Sequence, residues 1–354
     1  MPKNLFILKI MKRIALLLLV LVLVGGNSFT ALAVDKKNID SSHGFSPQDI
    51  ELGDDAFHGH GMLPYTEWWY FDAMFSNGYS AQMSVRIIST FGKGFVFQRL
   101  DLYKDGILIT HDSTSYHLKE LFASSKVPFV QIHGKTILVG SSDNTTGDFV
   151  YTMSFDFPGS AAVLRFVGCT KGWKGQHQSG DWWAVVLPRA IVTGTITIDN
   201  TTMNVEGTGY HDHNWDVSAR AGFYFGWFWG KFNSPEYTAT WSAILSTRAT
   251  VQPIMVVNKK NAGYIAIPSE TIWFSAKDVH LDQFMFVPHF FNIETMTDKV
   301  FLVVNMEVIS IDHERFMGFM NYWRYHVKCS GIFMVDGHAE TVDGVFIAEY
   351  LRFR

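Results

Sequence analysis

The stretch Gly194-Thr-Ile-Thr-Ile-Asp199 reads as a β-strand running into a turn, and it recurs 137 residues later as Gly331-Ile-Phe-Met-Val-Asp336. The same offset carries Gly207 onto Gly344. Each copy is half of a hairpin that closes a unit. A second offset, of 158 residues, sets Trp69-Tyr-Phe71 on Trp227-Phe-Trp229 and Tyr79-Ser-Ala81 on Tyr237-Thr-Ala239, so that two aromatic strands open two similar units. Between these markers the chain is a run of short strands. Tyr79 to Ile88, Phe95 to Tyr103, Thr136 to Gly140, Phe149 to Phe157 and Val300 to Ile309 are examples, cut by Ser-Asn-Gly, Lys-Asp-Gly and Thr-Thr-Gly clusters. No long stretch holds a helical period. The pattern predicts an all-β chain of two tandem antiparallel β-barrels, each of about eight strands, joined near Asp216 to Gly222.

The N-terminus reads as a secretory signal. Lys9, Lys12 and Arg13 precede the apolar run Ile14 to Val24, and Ala31-Leu32-Ala33 forms an A-x-A cleavage site. The run is shorter than the ~20 residues of a spanning helix. The expected division is a signal over 1–33, a linker over 34–54, a first barrel over 55–216 and a second over 217–354. A secreted or extracytoplasmic protein follows, either released or loosely associated with a membrane surface. Without the signal, 25 basic residues face 33 acidic ones, which disfavours nucleic acid as a partner. Cys169 and Cys329 could tie the halves together in an oxidising compartment, but spacing alone does not decide it. Asn144-Thr-Thr146 and Asn200-Thr-Thr202 are glycosylation sequons in turn-like stretches.

Proton-handling groups concentrate in Thr208-Gly-Tyr-His-Asp-His-Asn-Trp-Asp216, and its partner stretch Tyr65-Thr-Glu-Trp-Trp-Tyr-Phe-Asp72 sets two carboxylates around four aromatics. One stretch falls on the first strand of the first barrel and the other on its last, which are neighbours once a barrel closes. The two are expected to meet in one site. In extended chain, Tyr210, Asp212 and Asn214 share one face, and His211, His213 and Trp215 the other. An Asp facing a poorly hydrated aromatic cavity tends to keep its proton. Such an acid can protonate an alkene, leaving a cation that aromatic faces stabilise. The candidate catalytic residues are Asp212, His211, His213 and Glu67. The candidate ligand-binding residues are Trp68, Trp69, Tyr70, Tyr210, Asn214, Trp215, Trp227, Trp229, Tyr322 and Trp323. Two other readings stay open: His211 and His213, with His58-Gly-His60, have a spacing that suits a metal, and the same groups could form a satisfied buried network. Neither a metal nor an organic cofactor is expected. A serine elbow, a P-loop and a dinucleotide fingerprint are all missing from the sequence.

Glu67-Trp-Trp-Tyr-Phe-Asp-Ala73, Gly207-Thr-Gly-Tyr-His-Asp-His-Asn-Trp215 and Gly344-Val-Phe-Ile-Ala-Glu-Tyr-Leu-Arg-Phe353 resemble the hydroxyneurosporene synthase, or carotenoid 1,2-hydratase, superfamily. The likeness covers about residues 55 to 354. It implies lipocalin-like barrels in tandem and kinship with kievitone-hydratase-like and Diels-Alderase-like proteins. It also implies a hydro-lyase that adds water across an isoprenoid double bond through a carbocation. The expected partner is a hydrophobic small molecule of isoprenoid or polyketide kind, which the protein hydrates, isomerises or cyclises. A binding or carrier protein without turnover would use the same cavity.

Overall fold

A computed structural model describes residues 45–59, 64–177, 180–218, 226–245, 251–316 and 320–353, together with the backbone of Leu32–Ala33. The rest of the stretch read as a signal, most of the linker stretch and the joining segment 219–225 lie outside the described residues. The described chain is almost entirely antiparallel β-structure in two sheets, one curled into a near-closed barrel and one into a half-barrel. The expected all-β, tandem-barrel class is borne out.

The first sheet has 13 strands and the second 10, more than the eight expected of each, because several short strands extend their edges. Leu121–Ala123, Phe129–Ile132 and Gln48–Asp49 extend the first, while Leu32–Ala33 and Tyr264–Ile267 extend the second. The two sheets follow the same plan. Each begins with four antiparallel strands in sequence, passes through a short 3-10 turn (Leu118–Glu120 or Ser269–Thr271), and resumes at the far edge of the sheet. Each then ends with a strand paired to its first. Thr201–Ser218 pairs with Tyr65–Phe75, and His338–Arg352 with Gly226–Asn233. The aromatic strands of the repeat therefore occupy equivalent places.

The repeated glycines have a physical cause. A Cβ on Gly194 would stand 2.1 Å from the carbonyl oxygen of Val163, and one on Gly331 2.1 Å from that of Val303. Both residues sit on the penultimate strand, where the neighbouring backbone crosses too closely for a side chain. The hairpins that follow turn at Asp199-Asn200 and Asp336-Gly337, all with positive φ.

Alternation along the strands sorts side chains between two separate interiors and a junction. Trp69, Phe71 and Ala73 point into the first barrel, and Phe228, Trp323, Tyr325 and Tyr350 into the second. The opposite faces of the same strands pack the two units together through Tyr70, Trp173, Trp183, Tyr210, Trp229, Ile254 and Ile347. Cys329 is buried in the second interior, and both cysteines are free thiols. The end of the stretch read as a linker is docked rather than loose. Gln48–Asp49 pairs with Trp173–Gln176, and the 3-10 turn Leu52–Asp55 drives the Asp55 side chain into the first barrel.

Candidate functional site

Strand Thr201–Ser218 lies between Tyr65–Phe75 and Trp182–Ile198, with Asp212 opposite Tyr70 on one side and Val185 on the other. The two sequence stretches thus meet, but the sheet divides their polar groups into two clusters back to back. His211, His213 and Glu67 face the interior of the first barrel. Asp212, Tyr210 and Asn214 face the junction.

The interior cluster is sealed, with Asp55, Glu67, His211 and His213 all fully buried. His213 Nε2 lies 2.9 Å from Glu67 Oε1, and its Nδ1 lies 3.1 Å from Asp55 Oδ1, where the angle falls short of a hydrogen bond. His211 Nε2 is 3.0 Å from Asp55 Oδ2 and its Nδ1 is 3.0 Å from the Tyr70 carbonyl oxygen. Tyr65 donates to Glu67 Oε2 at 2.7 Å. Aromatic rings cover the imidazoles: Phe71 stacks on His211 at 3.7 Å and Trp69 on His213 at 4.6 Å, while Trp215 stacks on His58 at 3.9 Å. Burial alone would raise the Asp55 carboxyl, but the two imidazoles outweigh it and bring it down to about 2. Burial would likewise lower His213, and the flanking carboxylates overcome that and lift it to about 9. Among the described residues no group of three or more His, Cys, Asp or Glu is arranged to hold a metal. The ring nitrogens of both histidines are turned to oxygen acceptors.

The junction cluster mixes charge with aromatic surface. Asp212 Oδ2 accepts from Tyr210 at 2.9 Å and from Trp183 Nε1 at 3.2 Å, and Oδ1 accepts from Asn214 at 3.2 Å. Burial pushes its carboxyl up to about 7; the Tyr210 and Trp183 hydrogen bonds pull the other way, and the nearby Glu349 and Asp72 charges add to the rise. Facing it from the second sheet, Glu349 Oε1 accepts from Tyr322 at 2.6 Å and from Tyr70 at 2.8 Å. Burial raises Glu349 as well. Arg324 Nη1 donates to Tyr70 Oη at 2.5 Å and to Glu349 Oε1 at 3.2 Å. Lys231 forms a buried ion pair with Asp72, and its ammonium lies 4.6 Å from the centre of the Tyr210 ring. Trp229 packs its ring on Tyr210 and Tyr70 at 5.0 and 5.8 Å.

Of the residues singled out from the sequence, Tyr70, Tyr210, Asp212, Asn214, Trp229 and Tyr322 come together at the junction, with Trp68 and Trp227 partly buried against the same cluster. Trp69 and Trp215 belong to the first interior, and Trp323 to the second, where its Nε1 donates to Asp282 at 2.7 Å. Trp183, Lys231, Arg324 and Glu349 were not among the candidate site residues, and Asp72 was marked only as a carboxylate flanking the aromatics of its stretch. Lys231 and Arg324 did carry a signal, as lone cations inside the aromatic runs Trp227-Phe-Trp-Gly-Lys-Phe232 and Tyr322-Trp-Arg-Tyr325.

No family model matches the chain. Among curated proteins it is similar to the quinolone epoxide rearrangement protein asqO of Emericella nidulans, 24% identical over 200 residues, which is 51% of this chain and 54% of that protein. The chain thus spans about half the length of that relative. Among solved structures it resembles a Nitrosomonas europaea protein provisionally assigned as AttH, with a TM-score of 0.63 at 12% identity, over 87% of this chain and 98% of that one. CghA bound to Sch210972 gives 0.54 at 13%, over 82% and 88% of the two chains. Kievitone hydratase of Nectria haematococca gives 0.50 at 11%, over 87% and 98%. The likeness read from the motifs is borne out as a shared fold, two antiparallel sheets packed through their outer faces.

Proposed function

We propose that this chain is an acid–base enzyme of the hydratase, isomerase or cyclase type that takes an apolar, isoprenoid- or polyketide-like molecule at the junction, with Asp212 as proton donor. The observation that carries this reading is the placement of Asp212. It is a buried carboxyl surrounded by Trp183, Tyr210 and Asn214, directly across the strand pair from Tyr70, whose hydroxyl reaches Glu349 on the other sheet. A carboxyl that holds its proton near neutrality can protonate a carbon–carbon double bond or an epoxide oxygen. The faces of Trp229, Tyr70 and Tyr210 are the nearby surface for the developing cation. Glu349 takes the role of carboxylate for water or for a leaving proton, because Glu67 and the two histidines stand behind the sheet. Kinship supports the reading: one structural relative is named for hydrating kievitone and the curated relative for rearranging a quinolone epoxide. The signal-like N-terminus supports action outside the cytoplasm.

The three donors on Asp212 favour a second reading, a carrier for the same ligands, since a carboxylate so occupied serves as a structural acceptor. The test is conversion in isotopically labelled water. Wild type and Asp212→Asn would be incubated with a pool of apolar metabolites, and ligands and products read by mass spectrometry. The enzyme reading expects labelled or rearranged product from wild type, a fall of about 10²- to 10⁴-fold in the variant, and ligand retention by both. Retained but unchanged ligand with wild type would establish the carrier.

A further inference from the structure

The donors and acceptors at the junction do not balance. Its carboxylates are engaged: Asp72 by Lys231, Glu349 by Tyr70, Tyr322 and one nitrogen of Arg324, and Asp212 by three donors. Donors are left over. Arg324 is fully buried, yet its Nε and Nη2 meet no acceptor among the described residues. Trp229 Nε1 is buried and equally without one. The three residues lie in one row, Arg324 opposite Glu349 and Glu349 opposite Trp229 across adjacent strands. Successive strands stand ~4.8 Å apart, so the unspent donors of Arg324 and Trp229 sit about two strand spacings apart, on either side of Glu349.

Buried donors are normally satisfied, and a charged one is the costliest to leave bare. The Nε and Nη2 edge of a guanidinium carries two parallel N–H bonds, which match the two oxygens of a carboxylate or straddle one enolate or phenolate oxygen. From these observations, and building on the junction reading above, we propose that the junction selects apolar molecules carrying an acidic oxygen (carboxylate, enolate or phenolate), with Arg324 as anchor and Trp229 Nε1 as a further donor. The anchor also sets orientation. Arg324 touches Tyr70, and Tyr70 pairs across the strands with Asp212, so a ligand held by its oxygen on Arg324 extends its apolar body over Trp229 and Tyr70 toward Asp212.

A matched pair of probes tests this on the intact protein, 2-naphthoate and 2-methylnaphthalene, which share a ring system and differ in the acidic group. Binding is followed by calorimetry and by tryptophan fluorescence. Wild type should bind the naphthoate at least about tenfold more tightly. Arg324→Met should erase that preference with methylnaphthalene affinity kept, and Arg324→Lys should restore part of it. Trp229→Phe keeps the aromatic surface and deletes one donor, so it should weaken naphthoate binding about threefold or more with no loss for methylnaphthalene. It also decides the matter if the Arg324 variants fail to fold. Equal affinity of wild type for the two probes, which would mean that water alone meets these donors, overturns the proposal. So does an unaltered naphthoate preference in Arg324→Met or Trp229→Phe. Asp212→Asn should leave the preference standing, so a failure of the acid-catalysis reading would show in turnover and a failure of the anchor in this selectivity.

Discussion

At the scale of the residue, Asp212 is set by two opposed effects. Loss of water favours the neutral acid, and the Tyr210 and Trp183 donors favour the carboxylate; burial wins and leaves the group near 7 rather than 3.8. A carboxyl raised on folding costs the folded state wherever it must ionise. Its favourable contribution is complete below about 3.8 and is lost as pH rises through about 7. Asp212→Asn imitates the protonated form and escapes this cost. The melting temperature of wild type relative to the variant should therefore fall as pH rises from about 3.8 to about 7 and stay level above that, and turnover by wild type should decline as pH rises through about 7. A melting-temperature difference that is flat with pH would place Asp212 as an ordinary carboxylate acceptor. The face it occupies could be read from the sequence, because alternation alone separates Asp212 from His211 and His213. Its answering groups could not. Glu349 lies 279 residues from the Tyr70 hydroxyl it accepts from, and nothing local in either strand encodes that meeting.

At the scale of the element, the 3-10 turn Leu52–Asp55 latches the N-terminal segment into the first barrel. Trp69 Nε1 donates to the Asp55 carbonyl at 3.0 Å while the Asp55 side chain takes up His211. The charge pairing has a defined window. Asp55, lowered from 3.8 to about 2, contributes stability above 3.8 that disappears as pH falls through 2. His213, raised from 6.5 to about 9, contributes fully below 6.5 and loses its contribution as pH rises through 9. Asp55→Asn should thus cost most between 3.8 and 6.5, on the order of 1–3 kcal/mol, because His213 keeps Glu67 as its other partner. Urea midpoints across pH would show it, and a cost unchanged toward pH 9 would remove His213 from the latch. The strands and their repeat were legible because period-two alternation and turn glycines are local signals. Gly194 and Gly331 mark the same backbone crossing in both units. The latch was not legible: a turn of four residues has no period, and its first three residues, Leu52 to Asp54, close the polar stretch that reads as a linker, with Asp55 directly after it.

At the scale of the whole molecule, two curled sheets, each with its own buried core, meet through a surface that is part aromatic and part ionic, so their association can be varied apart from either core. Hydrogen bonds cross it away from the candidate site as well: Ser80 Oγ with His326 Nε2 at 2.9 Å, Ser310 to the Gly106 carbonyl at 2.7 Å, and Arg189 to the Ser234 carbonyl at 2.9 Å. The centre is the buried pair Lys231–Asp72. Burial lowers the lysine, and the Asp72 charge opposes that fall. Removing one partner leaves the other charge bare in a desolvated contact, at a cost of about 3–5 kcal/mol, whereas replacing both with apolar groups can be neutral. Lys231→Met should therefore weaken the junction more than the cores. Calorimetric unfolding should broaden or split into two transitions as the barrels lose their mutual support. Lys231→Met combined with Asp72→Leu should restore a single transition without restoring turnover, since the ammonium against the Tyr210 ring and the Asp72 charge that helps raise Asp212 are then both gone. If the double variant stays as split as the single one, the ion pair is not what couples the barrels, and the aromatic contacts of Trp229 with Tyr70 and Tyr210 would have to carry that coupling.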